Sequence, residues 1–241
     1  MTMTALFLIT CVIGSFIQTV TGFGFGIFVL SVFPYYMPSI HEGVAISNLL
    51  SMSLSVIVVY RLRKKADLKL ILPSLLGFFV VSGVLIFMFS GKPDDIYRKA
   101  LGVALILMSV YFFFFYNKFK IRPGLRNSVI AGGISGAIGG LFGMSGPPIA
   151  AYLISACEDD PDKYLANMLL FLGLCNLYSV IVRMIAGLVN LFVLEYWAVG
   201  IVAIVAGSIL GRKTSDKITP GQLRMFVYIV MVASGLILIF S

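Results

Sequence analysis

The sequence has few charged residues and few cysteines, and each shortage excludes a class of protein. Only 12% of its 241 residues are Asp, Glu, Lys or Arg, whereas an ordinary soluble domain is roughly a quarter charged. The three cysteines, Cys11, Cys157 and Cys175, are far apart and form no CxxC pair, so neither a disulfide framework nor a thiol relay is indicated. Walker motifs, metal-ligand clusters and nucleophile–base constellations are missing from the sequence as well. We therefore expect no enzymatic activity, no metal and no cofactor.

Apolar sequence makes up most of the chain, because 60% of its residues are hydrophobic. Apolar runs of about 18 residues or more are typical of membrane spans. Such runs leave no room for a separate soluble domain and predict an all-α, polytopic helical membrane protein of about eight hydrophobic segments. We expect it in the cell membrane, which is the inner membrane if the source is bacterial. The segments are 5–33, 43–60, 70–89, 97–116, 129–156, 165–187, 196–211 and 223–240.

The two halves of the chain, 1–120 and 121–241, resemble each other at an offset near 121 residues. Gly22, in the stretch TGFGFG, aligns with Gly143, in the stretch FGMSGP. Each half has a long segment interrupted by glycines, followed by three plainer spans. Transporters are often built from such repeats. We therefore predict an internal repeat, and the arrangement of basic residues indicates that the repeat is inverted.

The Lys and Arg residues lie mostly in short loops between the segments, where they act as orientation signals. The net charge of +8 therefore indicates a lipid bilayer as the partner, and not nucleic acid. If all eight segments cross fully, the two sides of the membrane receive ten and eight basic residues. If the two glycine-interrupted segments are re-entrant hairpins, the sides receive fourteen and four. The positive-inside rule favours the hairpins, but the sequence leaves both topologies open.

The two glycine-rich interruptions are the strongest candidates for a functional site. They are GFGFG, residues 22–26, and GMSGPP, residues 143–148. Irregular backbone survives inside a bilayer only where protein or a polar cavity covers it. A half-helix that begins at such a break presents free N–H groups and a partial positive charge, which together can hold an anion. Paired breaks in two halves indicate a binding site near the midplane, although helix packing would explain the GFGFG run almost as well.

Polar residues near the breaks extend the candidate site. Asn48 and Asn167 occupy matching places in the segments after each break, where each amide would bind substrate or make an interhelical hydrogen bond. Arg183 lies within an apolar segment, as either an anion contact or a cation that reaches the interface from a helix end. The candidate site comprises Gln18, Thr21, Gly22, Phe23, Gly24, Phe25, Gly26, Asn48, Gly143, Met144, Ser145, Gly146, Pro147, Asn167 and Arg183.

Other glycines have a simpler interpretation. Gly132, Gly136 and Gly140 are spaced four residues apart, and so are Gly207 and Gly211. Small residues at this spacing let two membrane helices approach closely. We expect these glycines to serve packing.

The chain resembles the sulfite exporter TauE/SafE family of membrane transporters. The resemblance is carried by GSFIQTVTGFGFGIFVLSVF, residues 14–33, and GAIGGLFGMSGPPIAAYL, residues 136–153. It extends over essentially the whole chain, although its motifs are loose. The family more typically has a run of glycines at the first motif, where this chain alternates glycine with Phe23 and Phe25. In the second motif, Pro147-Pro148 replaces part of the glycine run.

This resemblance implies transport of small anions, often sulfite or organosulfonates. We expect alternating access, with the anion held at the ends of the broken helices near the midplane. Two other functions stay open: a channel-like anion facilitator, and a non-transporting membrane subunit that anchors a partner. The sequence does not name the substrate, the direction of transport, the coupling ion or the oligomeric state, so a homo-oligomer is also left open.

Overall fold

The computed structural model describes residues 3–115, 121–157, 160–214 and 220–240. The basic loop residues within 116–120 and 215–219, which enter the charge count above, lie outside the described residues. All regular structure in the described residues is helical. The elements are α1 (Met3–Thr21), α2 (Phe25–Val32), a 3-10 helix (Phe33–Tyr35), α3 (Ile40–Leu62), α4 (Leu68–Phe89), α5 (Asp94–Phe115), α6 (Leu125–Phe142), α7 (Gly146–Ala156), α8 (Pro161–Ile185), α9 (Leu191–Thr214) and α10 (Pro220–Phe240).

The outer surface is apolar and much of the polar sequence is buried, which is the arrangement of a membrane protein. Val80 and Val202 are 68% and 72% exposed, whereas Asn48 and Asn167 have no exposed surface. Large exposed apolar areas are rare on soluble monomers. Among the described residues, α1, α4, α8 and α9 are long and apolar enough to cross a membrane. The all-α membrane class is confirmed, while the number of about eight membrane segments stays a prediction.

Each glycine-interrupted segment is a helix, a short break and a second helix. Gly22 and Gly24, between α1 and α2, have φ angles of +84° and +111°, and Gly143, after α6, has a φ of +66°. Only glycine adopts these angles without steric cost. In the first segment, α2 turns back along α1, because a Cβ built on Gly14 would lie 3.0 Å from Val29 and 3.1 Å from Phe25.

The second segment has the same form, since α7 packs against α6. We call α1–α2 hairpin 1 and α6–α7 hairpin 2. Their tips are the breaks at 22–24 and 143–145. These names describe the path of the chain and not its position in a membrane.

Glycines bring α6 into direct backbone contact with α4. A Cβ on Gly136 would lie 2.7 Å from the Phe78 carbonyl oxygen, and a Cβ on Gly140 would lie 2.7 Å from the Cα of Ser82. Gly132 faces the backbone of Ser74 more closely still. The contacts advance together along both helices, so α4 and α6 run parallel. The expectation that these glycines serve packing is confirmed.

Helices α1 and α9 meet in the same way. Gly207 faces the carbonyl of Val12, and a Cβ on Gly211 would lie 3.1 Å from the carbonyl oxygen of Phe16. These two helices are also parallel, and the packing role expected for Gly207 and Gly211 is confirmed as well. Each hairpin is therefore fixed to one long helix from the other half of the chain.

At one end of the helix bundle, the loop after α3 contacts the start of α8. The Lys65 ammonium lies 3.2 Å from a carboxylate oxygen of Asp160, and the backbone N–H of Asp67 donates to Asn167 Oδ1 at 2.8 Å. The backbone N–H of Lys163, followed by the Lys65 ammonium, holds the pKa of the exposed Asp160 carboxyl below its usual value. The α3–α4 and α7–α8 connections thus lie at the same end.

At the opposite end, three other connections meet. His41 Nε2 lies 3.2 Å from the Lys92 carbonyl oxygen, which joins the start of α3 to the α4–α5 connection. The Asn190 amide donates to Glu42 at 2.6 Å, which joins the start of α3 to the α8–α9 connection. Helices α3 and α8 therefore run antiparallel between the two ends.

Close packing of α6 on α4 predicts a sharp difference between two neighbouring glycines. Gly132→Ala should lower the unfolding free energy by about 1–3 kcal/mol, because the new methyl group meets the Ser74 backbone, which cannot rotate away. Gly133→Ala is the matched control. Its methyl group would find only Val81, at 3.7 Å, so its stability should stay within about 1 kcal/mol of wild type. Thermal unfolding in detergent measures both, and equal stabilities would contradict the packing.

Candidate functional site

The tips of the two hairpins lie against each other, although more than 100 residues separate them in the sequence. A Cβ on Gly26 would lie 2.5 Å from the Gly143 carbonyl oxygen, which is closer than a real side chain allows. A Cβ on Gly146 would lie 3.0 Å from the Cβ of Phe23. The two motifs singled out in the sequence therefore form one region of the molecule.

A small polar cavity lies where the tips meet. Its volume is about 10 Å³, which is room for about one water molecule. Among the residues that the structure describes, no charged side chain lines it, so a ligand there would meet neutral groups. Its lining residues are Gln18, Phe23, Gly24, Gly26, Ile27, Ser51, Gly143, Met144, Ser145, Gly146, Leu172 and Asn176.

The start of α2 supplies hydrogen-bond donors to this region. No side chain caps the helix, and its first backbone hydrogen bond runs from the Phe28 N–H to the Gly24 carbonyl. The N–H groups of Phe25, Gly26 and Ile27 precede that bond, so they have no partner within the helix. Together with the helix dipole they favour negative charge at this tip.

The start of α7 is a poorer donor, which sequence reasoning did not anticipate. Its second and third residues are Pro147 and Pro148, and proline has no N–H. Of the first three positions only Gly146 can donate. The two half-helix starts therefore differ chemically, and the donor-rich one belongs to hairpin 1.

Two polar residues of the cavity were missed in the sequence because they lie in plain apolar helices. Asn176 of α8 donates to Ser51 of α3 at 3.1 Å and to the Leu172 carbonyl at 2.8 Å. Both residues face the cavity. The only signal in the sequence was a buried polar residue within each apolar run. Gln18, which was predicted, is 2% exposed, and its Nε2 has no partner among the described residues.

Several predicted residues belong to the tips without lining the cavity. Thr21 lies within hydrogen-bond distance of the carbonyls of Ile17 and Phe23, so it closes the end of α1. The Cα of Gly22 faces Leu165, and Phe25 packs on Gly14. Pro147 begins α7.

Asn48 and Asn167, which matched in sequence, do not form a pair in space. Asn48 Oδ1 would lie 2.7 Å from a Cβ on Gly143, and neither amide atom of Asn48 has a partner among the described residues. Asn167 lies toward the end of the bundle, where it accepts from Asp67 and donates to the Lys163 carbonyl. The structure thus places Asn48 at a tip and Asn167 at a loop contact.

Arg183 is 1% exposed and binds the end of α6. Its Nη2 donates to the Gly140 carbonyl at 2.6 Å and lies 3.4 Å from that of Leu141, which also accepts from the Tyr97 hydroxyl. A cation at a helix C-terminus offsets the negative end of the dipole. Arg183 does not line the cavity, so its role as a substrate contact stays a prediction.

The similarity to known proteins extends over nearly the whole chain. Residues 6–238 match the family model described as Sulfite exporter TauE/SafE. The chain belongs to this family. The probable sulfite/organosulfonate exporter TauE of Cupriavidus necator is 21% identical over 226 residues, which cover 92% of this chain and 88% of the relative. No solved structure matches the chain.

Membership of the TauE/SafE family confirms the resemblance seen in the sequence. The matched range contains the tips of both hairpins and the residues that line the central cavity. A family of membrane exporters agrees with the apolar surface and with the long apolar helices. The candidate ligand-binding residues follow from the geometry of the two tips.

The contacts of Arg183 predict a loss of stability when its guanidinium is removed. Arg183→Leu leaves the Gly140 carbonyl buried without its side-chain donor, so we expect a loss of about 1–3 kcal/mol. Arg126→Leu, at an exposed position of the same α6, is the control and should change stability little. Thermal unfolding in detergent measures both, and an unchanged midpoint for Arg183→Leu would contradict the capping role.

Proposed function

We propose that this protein is a transporter that moves small sulfur-containing oxyanions or organosulfonates across the membrane by alternating access. The observation that carries the proposal is the meeting of two broken helices at a buried polar cavity. Unpaired backbone N–H and C=O groups cost free energy inside a bilayer, so irregular backbone occurs there only where protein buries it or where it lines a polar cavity. The relative from Cupriavidus necator bears the name of a probable sulfite/organosulfonate exporter, which supports the substrate class.

The chemistry of the cavity suits an oxyanion. The uncapped start of α2 offers backbone N–H groups, and Gln18 offers an amide without a partner. Neutral donors bind an anion without placing a full cation in the membrane, so the anion can also leave. We assign the substrate contacts to the N–H groups of residues 25–27, to Gln18 and to the Ser51–Asn176 pair.

We also propose that both hairpins are re-entrant and that the halves form an inverted repeat. The Lys65–Asp160 and Glu42–Asn190 contacts each join connections that eight full crossings would separate to opposite sides. Exchanging the halves maps α1 onto α6 and α4 onto α9. The packing follows this exchange, since α4 packs on α6 as α1 packs on α9, and α4 on α8 as α3 on α9.

Alternating access also has support in the difference between the halves. Helix α10 covers hairpin 1, where Val227 and Tyr228 approach Thr21 and Phe23. On the other half, an apolar groove of about 750 Å³ lies between residues 104–111 of α5 and helices α6 and α7, while Tyr97, near the start of α5, contacts the end of α6. If α5 closed on hairpin 2 while α10 moved away from hairpin 1, and the reverse, the central cavity would open to one side of the membrane and then to the other.

Reconstituted transport tests the proposal. Purified protein in liposomes should take up labelled sulfite or an organosulfonate, with faster uptake when the same anion is inside. Gln18→Leu should weaken anion binding by about tenfold or more, because a hydrogen bond to a charged group is worth about 1.5–3 kcal/mol. Thr10→Val is the control on the same helix, because Thr10 donates to the Leu6 carbonyl and does not line the cavity.

The outcomes separate the three functions. Saturable uptake with counterflow acceleration supports the transporter. Flux without counterflow acceleration indicates a channel-like facilitator. No flux and no anion binding would leave a non-transporting subunit and overturn the proposal.

The hairpin topology predicts which loops share a side of the membrane. Cysteines at Lys64 and Asp162 should react with an impermeant thiol reagent from one side, and cysteines at Lys92 and Asn190 from the other. All four positions are exposed, whereas Cys11, Cys157 and Cys175 are buried. Eight full crossings would instead group position 64 with 190 and position 92 with 162, so that grouping would contradict re-entrant hairpins.

A further inference from the structure

We infer that the tip of hairpin 2 is a sodium-ion site, formed by the Gly143 carbonyl oxygen, Ser47 Oγ and Asn48 Oδ1. These three oxygens come from two elements, the hairpin tip and α3. They lie beside the anion-binding start of α2, on which the proposed function rests. The site gives the transporter a coupling ion.

The tip of hairpin 2 has more acceptors than donors. In a helix, the carbonyls of Gly143 and Met144 would accept from the N–H groups four residues later. Those residues are Pro147 and Pro148, which have no N–H. The two prolines therefore leave the carbonyls of the tip without helical donors. Unwound carbonyls of broken membrane helices are sodium ligands in transporters of known architecture.

Two side chains of α3 point to the same ligand. Asn48 has no exposed surface, and neither of its amide atoms has a partner among the described residues. The Ser47 hydroxyl is equally buried and lacks a partner as well. A buried polar group without a partner costs free energy. A bound cation would give Asn48 Oδ1 and Ser47 Oγ a partner.

The positions of these oxygens bring them to one place. A Cβ on Gly26 would lie 2.5 Å from the Gly143 carbonyl oxygen and 3.6 Å from Ser47 Oγ. A Cβ on Gly143 would lie 2.7 Å from Asn48 Oδ1. The three oxygens thus surround the close contact between Gly26 and Gly143, beside the cavity.

The ligand class follows from the donor set. Carbonyl, amide and hydroxyl oxygens are hard, neutral ligands, whereas sites for divalent cations usually include carboxylates. Among the described residues, no Asp or Glu lines the cavity, and no three His, Cys, Asp or Glu side chains form a metal cluster. The three proposed ligands have no titratable group, which excludes a proton. A monovalent cation suits this donor set, and the close contact of Gly26 with Gly143 favours the smaller sodium ion over potassium.

A sodium ion here would act directly on the substrate. The Cα of Gly26 touches the Gly143 carbonyl, while the Gly26 N–H belongs to the donor set for the anion. Opposite charges a few ångströms apart attract strongly where water is excluded. Each ion would therefore raise the affinity of the protein for the other, and this coupling is reciprocal.

Thermal unfolding in sodium, potassium and choline chloride, at equal ionic strength and without a sulfur anion, tests the site. A ligand at about ten times its dissociation constant stabilises the folded protein, and sodium should raise the midpoint on the order of 4 °C above potassium or choline. Asn48→Ala and Ser47→Ala should lose this difference. Asn167→Ala and Ser135→Ala are matched controls, because both residues are fully buried away from the tip, and should keep it.

A wild-type midpoint that is equal in all three salts would overturn the site. So would a sodium effect that persists in both Asn48→Ala and Ser47→Ala, because sodium would then bind at another place on the protein. Adding sulfite in each salt separates the two proposals. Stabilisation by sulfite that is equal in sodium and potassium would retain anion transport and remove the coupling. Stabilisation by sodium alone, with none by any sulfur anion, would retain the cation site and remove the proposed substrate.

Discussion

The contact between the Cα of Gly26 and the carbonyl of Gly143 is the constraint on which the rest of the structure depends. Two broken helices can meet at their tips only if neither carries a side chain at the point of contact. They must also be held in place from outside, because a short half-helix buries little surface of its own. The backbone contacts of α6 with α4 and of α1 with α9 provide that support. Glycine therefore acts at two levels: once at the tips, and again along the long helices that position them.

The electrostatic arrangement follows from the same constraint. The described residues that line the cavity are all uncharged, so the backbone itself supplies the partial charges, as N–H groups at the start of α2 and as carbonyls at the tip of hairpin 2. Arg183 follows the cavity-lining residue Asn176 by seven positions in α8, yet it binds the last carbonyls of α6. Its charge offsets the negative end of the helix dipole. Arg183 therefore adds no fixed positive charge to the lining of the cavity.

The sequence predicted the membrane class, the two breaks and the packing role of the spaced glycines, because each of these depends on local composition and spacing. It could not predict which polar residues meet. Asn48 and Asn167 match in the alignment of the halves, but one reaches Gly143 and the other reaches Asp67. The asparagines match at an offset of 119 residues and the tips at 121, and a shift of two residues turns a side chain to another face of a helix. Ser51 and Asn176 are 125 residues apart, and nothing local marks them as partners. Pro147 and Pro148 already distinguish the start of α7 from that of α2 in the sequence. Only the structure shows that the N–H groups these prolines lack would lie next to a tip.

The size of the cavity determines what motion transport requires. A space of about 10 Å³ admits a water molecule and not a sulfite ion or a sulfonate, so the tips must separate for a substrate to enter. The α4–α6 and α1–α9 pairs are too tightly packed through backbone contacts to slide within themselves. Under the proposed function, each pair would therefore move as a unit that carries one hairpin. The rearrangement would fall between the pairs, including the contact of α3 with α8, where the Ser51–Asn176 hydrogen bond lies beside the cavity. The two halves already differ there, because α10 covers hairpin 1 while a groove lies between part of α5 and hairpin 2.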